Sequence, residues 1–299
     1  MILPPAKPVL LLAGPTASGK SALALRWAEA LGAEVVNADS QQLYSDLRVL
    51  SARPSPEEEG RAPHHLYGVA DGAEAWSVGR WLRAVLPVLA EIRDRGRTPI
   101  VVGGTGLYFR ALTRGLAEVP PVSPDVVRAA EQAYDDGGEP AFRAKLAERD
   151  PEAEARIGPA DRQRLVRAWA VAEATGRSLS DWRRVTTTAA LSPNDWAGVV
   201  LEPTRETLYA RCDLRVERML AEGAVEEVAR LAARALPPEL PVMRALGVRP
   251  LAAHLAGSLD SASALAETQQ DTRRYAKRQL TWFRNQTPDW SRLTFSGGS

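Results

Sequence analysis

The residues with the plainest chemistry are the run Gly14-Pro15-Thr16-Ala17-Ser18-Gly19-Lys20-Ser21. Its spacing, G-x-x-x-x-G-K-[ST], is that of a phosphate-binding loop. It lies between an apolar run, Val9–Ala13, and a helix-forming stretch, Ala22–Ala30, the strand–loop–helix setting the motif needs. Glycines let successive backbone N–H groups converge on phosphate oxygens. The following helix turns its positive end toward the same anion. Lys20 adds a point charge, and the Ser21 hydroxyl can ligate Mg²⁺. The pattern names a ligand group and not a reaction. Read alone, it suits an ATP-binding kinase as well as any other phosphate-using enzyme.

Further polar residues fall where that anion would sit. Asp39 follows the apolar run Ala33–Ala38, where a carboxylate can accept a proton from a nucleophile or hold Mg²⁺; it is equally a common helix cap. Gly103-Gly104-Thr105-Gly106 follows Pro99–Val102 and offers N–H groups and a hydroxyl. Arg211, Arg215 and Arg218 recur at four and three residues, on one face of a helix. Such a stripe is usually solvated, or it clamps a diphosphate through bidentate guanidinium contacts. Near the C-terminus, Arg274, Lys277 and Arg278 share a helix face among Tyr275, Trp282 and Phe283, a mixture that suits an RNA backbone with base stacking. Arg162, Arg164 and Arg167 form a second basic stripe. His64 and His65 are expected in a loop, structural or rim-lining and without a third metal ligand, and Arg53–Gly60 reads as a solvated loop.

These residues need a scaffold. Val9–Ala13, Ala33–Ala38, Pro99–Val102 and Gly198–Leu201 read as buried parallel strands alternating with helices. Ligands of such sheets bind beyond the carboxyl ends of the strands, where the phosphate loop, Asp39 and Gly103–Gly106 all fall. From the breaker cluster at Pro120 to Asn194 only helical patterns occur. The expectation is an α/β fold: a P-loop NTPase-like core with a parallel sheet flanked by helices (residues 1–119 and 196–299), interrupted by an all-helical insertion (120–195). The chain has 299 residues, 45% hydrophobic and 25% charged, with net charge +1, so an RNA surface must be a local patch. One cysteine, Cys212, excludes an internal disulfide, and three histidines are too few and scattered for a metal cluster. The apolar N-terminus lacks a basic leader, and no run approaches the ~20 apolar residues that span a bilayer. A soluble, cytoplasmic protein is expected.

Eight motifs occur in order: G-P-T-A-S-G-K-S, N-A-D-S-Q-Q-L-Y, A-R-P-S, P-H-H-L, V-G-G-T-G-L-Y-F-R-A-L, D-R-Q-R-L-V-R-A, R-A-L-G-V-R and Y-A-K-R-Q-L-T-W-F-R. Together, from Val9 to Arg284, they resemble the isopentenyl-tRNA transferase (tRNA dimethylallyltransferase) family. The resemblance implies transfer of a dimethylallyl group from dimethylallyl diphosphate to N6 of adenosine 37, beside the tRNA anticodon. It implies that Gly14, Thr16, Ala17, Ser18, Gly19, Lys20 and Ser21 hold the donor's diphosphate together with Arg215, with no nucleoside triphosphate needed. Ser21 would help place Mg²⁺, Asp39 would act as general base toward N6, and Thr105 would lie close to the reacting nucleotide. Ser40, Gln41, Gln42, Asp161, Arg162, Gln163, Arg164, Leu165, Arg244, Gly247, Arg249, Lys277, Arg278 and Arg284 would contact the tRNA, with the insertion gripping the anticodon stem-loop. A monomer is expected. The chain departs from the family pattern at Ser21, where Thr is frequent, and at Ser51-Ala52-Arg53-Pro54, where T-A-K-P is usual. Thr186–Ala190 matches nothing in the family. Absence of a C-terminal zinc finger points to the bacterial type. The alternatives are a small-molecule kinase, an RNA-binding P-loop protein without chemistry, and a prenyltransferase acting on free adenylate.

Overall fold

A computed structural model describes residues 8–117, 119–185 and 188–295. Residues 1–7 and the Thr186-Thr187 part of the unmatched stretch lie outside it. The chain divides into two compact units, Met1–Thr113 with Ala190–Ser299, and Arg114–Ala189.

The first unit is built on a six-stranded, wholly parallel sheet. Its strands are β1 (Val9–Ala13), β2 (Glu34–Asn37), β3 (His64–His65), β4 (Pro99–Gly103), β5 (Trp196–Pro203) and β6 (Ser291–Phe295), in the spatial order β3-β2-β4-β1-β5-β6. Successive side chains leave opposite faces of a strand, and here both faces are covered. Leu12, Val35, Ile100 and Leu201 pack against Ala24, Leu25 and Ala28 of α1 (Lys20–Leu31). On the other face, Leu11, Val36, Val101 and Val200 share a core with α3 (Val78–Asp94) and α4 (Gly106–Arg114), which follow the short α2 (Pro56–Arg61) in the chain. Burial on both faces is why these strands read as unbroken apolar runs. The order reverses direction between β1 and β4, the switch point where α/β sheets bind ligands.

The second unit holds α5 (Pro124–Ala147), α6 (Pro151–Arg156), α7 (Arg162–Thr175) and α8 (Leu179–Arg184), with no strand among its described residues. Gly138, at φ 70°, breaks α5 into two helical pieces. Phe142, Leu146, Leu165 and Val171 form its core. The expected insertion was 120–195; the compact unit begins and ends about six residues earlier. The chain then returns to the first unit as β5, α9 (Arg205–Ala221), α10 (Ala224–Ala233), a 3₁₀ turn at Pro241–Arg244, α11 (Val248–Leu255) and α12 (Ser261–Gln286), and closes with β6.

Three local expectations need correction. His64 and His65 are not in a loop: they form edge strand β3, paired with Val35 and Val36, and His65 Nε2 lies 2.7 Å from the Glu34 carboxylate. Arg53–Gly60 is not a solvated loop. Ser55 and Glu58 cap α2 reciprocally, and Arg53 packs against Gly68 while donating to the Tyr44 carbonyl at 3.0 Å. Strand β6 was not expected at all.

Candidate active site

The phosphate loop follows β1 as its motif requires. Ala17 (φ 60°) and Gly19 (φ 87°) are both left-handed, a conformation Gly19 tolerates and Ala17 adopts only because the loop imposes it. Gly19 caps α1 without a side chain, leaving the helix's first N–H groups to the loop interior. Lys20 is 7% exposed and rests Nζ on the Pro15 carbonyl at 3.4 Å. Burial lowers its pKa to about 8; Asp39 pulls it back up and Arg215 presses it further down. The Ser18 hydroxyl is buried with no partner among the described residues.

Helix α9 brings arginine to this loop. Arg215 Nη1 donates to Thr16 Oγ1 at 3.1 Å, and burial holds the guanidinium below the ordinary arginine range. Arg211, one turn earlier, places Nη1 3.6 Å from where a Cβ on Gly19 would stand. The third arginine, Arg218, is exposed. Of the stripe, therefore, two members turn to the loop.

The ends of β2 and β4 supply the facing side. Asp39, 8% exposed, accepts the Gln41 N–H on Oδ1 at 3.0 Å. The Thr105 hydroxyl oxygen accepts the Ser40 N–H at 2.9 Å, fixing the two strand-end loops together. Thr16, Asp39, Gln41, Arg215 and Tyr275 line one cleft, whose apolar wall is Leu50, Val216, Met219 and Leu246. Ser21 lines a second, smaller cleft with Tyr67 and His64. The hydroxyl of Ser21 is a hard oxygen donor that suits Mg²⁺, the remainder being left to substrate phosphates and water. No group of three or more His, Cys, Asp or Glu side chains that could hold a metal exists among the described residues.

The residues expected at an RNA surface divide by exposure. Lys277, Arg278, Arg284, Arg244 and Arg249 are exposed, as are Gln163 and Arg164 on α7. Gln42 is instead buried, its amide donating to the Ser51 and Ala52 carbonyls at 3.0 and 2.7 Å, so it braces the loop after Asp39. Leu165 has no exposed surface and belongs to the core of its unit; an apolar side chain on the inner face of α7 cannot present a contact. Asp161 caps α7 on the Arg164 N–H, Arg162 pairs with Asp135 at 2.8 Å, and Gly247 (φ 84°) caps α11. Sequence reasoning missed Glu227, whose carboxylate on α10 accepts the N–H groups of Arg48, Val49 and Leu50 at 2.6, 3.0 and 2.8 Å. It also missed Gln279.

A parallel sheet with a phosphate loop at its switch point, backed by an arginine helix, defines a P-loop-type α/β protein. Comparison with known proteins makes this specific. Residues 42–286 match the family model described as IPP transferase, and residues 7–64 that described as isopentenyl transferase. The chain belongs to the IPP transferase family. The tRNA dimethylallyltransferase of Phenylobacterium zucineum is 61% identical over 286 residues, covering 96% of this chain and 92% of the relative. That of a Caulobacter species is 58% identical, covering 95% and 92%. Among solved structures, the full-length tRNA isopentenylpyrophosphate transferase of Bacillus halodurans superposes with a TM-score of 0.70 at 30% identity, covering 98% of this chain and 91% of that one. A eukaryotic dimethylallyltransferase acting on tRNA superposes at 0.79 with 26% identity, covering 96% and 74%.

Proposed function

We propose that this chain transfers a dimethylallyl group from dimethylallyl diphosphate to N6 of adenosine 37 in the tRNA anticodon stem-loop. The observation that carries the reading is the reach of Arg215 from α9 to Thr16 in the phosphate loop, in the cleft that Asp39 also lines. That arrangement sets cationic groups and a carboxylate against one small volume. A diphosphate leaving group needs the first, and an amine losing a proton needs the second. Family membership and the names of the relatives support the same chemistry.

In this mechanism the loop N–H groups, the Ser18 hydroxyl, Lys20 and Arg215 bind the donor's diphosphate. The N6 amine attacks C1 of the dimethylallyl group, a C–N bond forms, and the C–O bond to the diphosphate breaks with its electron pair going to the diphosphate. Asp39 takes the proton that N6 sheds. Lys20 and Arg215 face the charge that develops on the leaving oxygen. Mg²⁺ held near Ser21 would neutralise part of the diphosphate charge. The adenine must leave its stack to reach the cleft, as in other base-modifying enzymes. Lys277, Arg278, Arg244 and Arg249, exposed on the first unit, would carry the RNA backbone, and Gln163 and Arg164 would add contacts from the second. No helix among the described residues is long and apolar enough to cross a membrane.

The test is direct. The protein is incubated with an unmodified anticodon stem-loop, dimethylallyl diphosphate and Mg²⁺, and the nucleosides are weighed by mass spectrometry. One dimethylallyl addition on adenosine 37 is expected. No gain on a competent substrate, or phosphoryl transfer from ATP in its place, would reject the reading.

A further inference from the structure

The two loops of the site sit on different strands, and one amide side chain joins them. Gln279 of α12 is 5% exposed. Its Oε1 accepts the Thr16 N–H at 2.8 Å, and its Nε2 donates to the Gly104 carbonyl at 2.9 Å. A Cβ on Gly104 would stand 2.2 Å from Nε2, so the approach requires glycine. One turn further along α12, the Trp282 ring covers Gly106, again 2.2 Å from where a Cβ would be. Gly104 precedes Thr105, which holds the Ser40 N–H beside Asp39. Contacts thus run unbroken from Thr16 through Gln279, Gly104 and Thr105 to Ser40.

Strand register fixes Ala13 opposite Gly103. It does not fix how far apart the loops beyond those residues stand. The two hydrogen bonds of Gln279 do. We propose that Gln279 is a positioning residue that sets the spacing between the diphosphate cradle and the Asp39–Thr105 side of the site. The inference rests on the function proposed above. Gln279 adds no charge to the cradle, so its effect falls on the alignment of the reacting atoms and not on binding. Misplacement of about 1 Å costs up to 10²-fold in rate.

Gln279→Met keeps the side-chain length and removes both bonds. Gln279→Asn keeps a neutral amide and shortens its reach by one methylene, so it cannot span Thr16 and Gly104 together. Each full-length variant is assayed for prenylation of the stem-loop, for affinity toward inorganic pyrophosphate and for melting temperature. Rates are normalised to the fraction of protein that binds stem-loop, so unfolding lowers the divisor and not kcat. The expected result is a kcat lowered about 10–100-fold, with both KM values and the pyrophosphate Kd within about 3-fold of the parent, the signature of a lost transition-state alignment. If Gln279→Met does not fold, Gln279→Asn, also neutral, carries the test. A lowered melting temperature with parental kcat makes Gln279 a packing residue and overturns the proposal. So does a raised KM or pyrophosphate Kd at unchanged kcat, which makes it a binding contact. An inactive parent protein is a different failure, that of the function itself.

Discussion

Asp39 is held in place before it does anything. Its N–H donates to Asn37 Oδ1 at 2.7 Å, and Asn37 Nδ2 donates back to the Asp39 carbonyl at 3.0 Å and to the Leu66 carbonyl at 2.9 Å. The Trp81 indole N–H grips the Asn37 carbonyl at 3.0 Å, and the Trp81 ring stacks on Tyr108 of α4. Asp39→Asn keeps this shape and removes the base, together with the negative charge that supports Lys20 and Arg215. Prenylation should fall about 10²–10⁴-fold while stem-loop affinity stays at the parental value; parental kcat would end the general-base role. Cys212, buried among Leu208, Ala276 and Leu280, gives a second residue-level prediction. Burial pushes its thiol up to about 11, with Arg215 working in the opposite sense. Between the ordinary thiol value and about 11 the folded protein keeps a proton that the unfolded chain has lost. Stability from this group must therefore fall as pH rises through that window and be indifferent below it. Denaturant midpoints measured across the window should drop less steeply in Cys212→Ala. Equal slopes would show that the thiol ionises freely.

At the scale of elements, the stretch between β2 and α2 shapes the cleft, since Gln41, Leu50 and Ser51 line it. It contains no regular helix or strand of its own. Gln42 ties it internally, and Glu227 ties it to α10 through three N–H groups while itself only 4% exposed. Glu227→Ala leaves those N–H groups without their acceptor and should cost about 2–4 kcal/mol of stability, read from denaturant unfolding. A loss under about 0.5 kcal/mol, the range of an ordinary surface change, would show that water replaces the carboxylate. The same contrast explains what the sequence discloses. The phosphate loop is eight contiguous residues, and β1, β2, β4 and β5 are apolar because both their faces are covered; each is a local pattern. Edge strand β3 is two residues, too short for any periodicity. Gln279 bonds a residue 263 positions away and Glu227 one 179 away, and a lone Gln or Glu on an amphipathic helix reads as surface. Leu165 fails for the opposite reason: Gln163 and Arg164 just before it are exposed, and only the turn of α7 separates it from them.

For the whole molecule, 38 basic and 37 acidic residues nearly cancel, so RNA affinity depends on which cations are left unneutralised. On α12, Arg273 pairs with Asp213, Arg274 with Asp271 at 3.7 Å, and Arg284 with Glu202 at 2.6 Å. Lys277 makes no ion pair among the described residues, and Arg278 lies only over the Tyr275 ring, at 5.6 Å. Phosphate contacts release condensed counterions, and each contributes about 0.7–0.9 to the slope of log affinity against log salt. A cation already paired must first give up its carboxylate and contributes less. Stem-loop binding measured over a salt series should therefore lose about 1.4–1.8 units of slope in Lys277→Ala/Arg278→Ala. Arg284→Ala should lose well under one unit. Were Arg284→Ala to flatten the slope as much as the double change, the pairing with Glu202 would have to open on RNA binding. Were the double change to leave the slope intact, the RNA surface would lie elsewhere, with the exposed Arg244 and Arg249 the next to test.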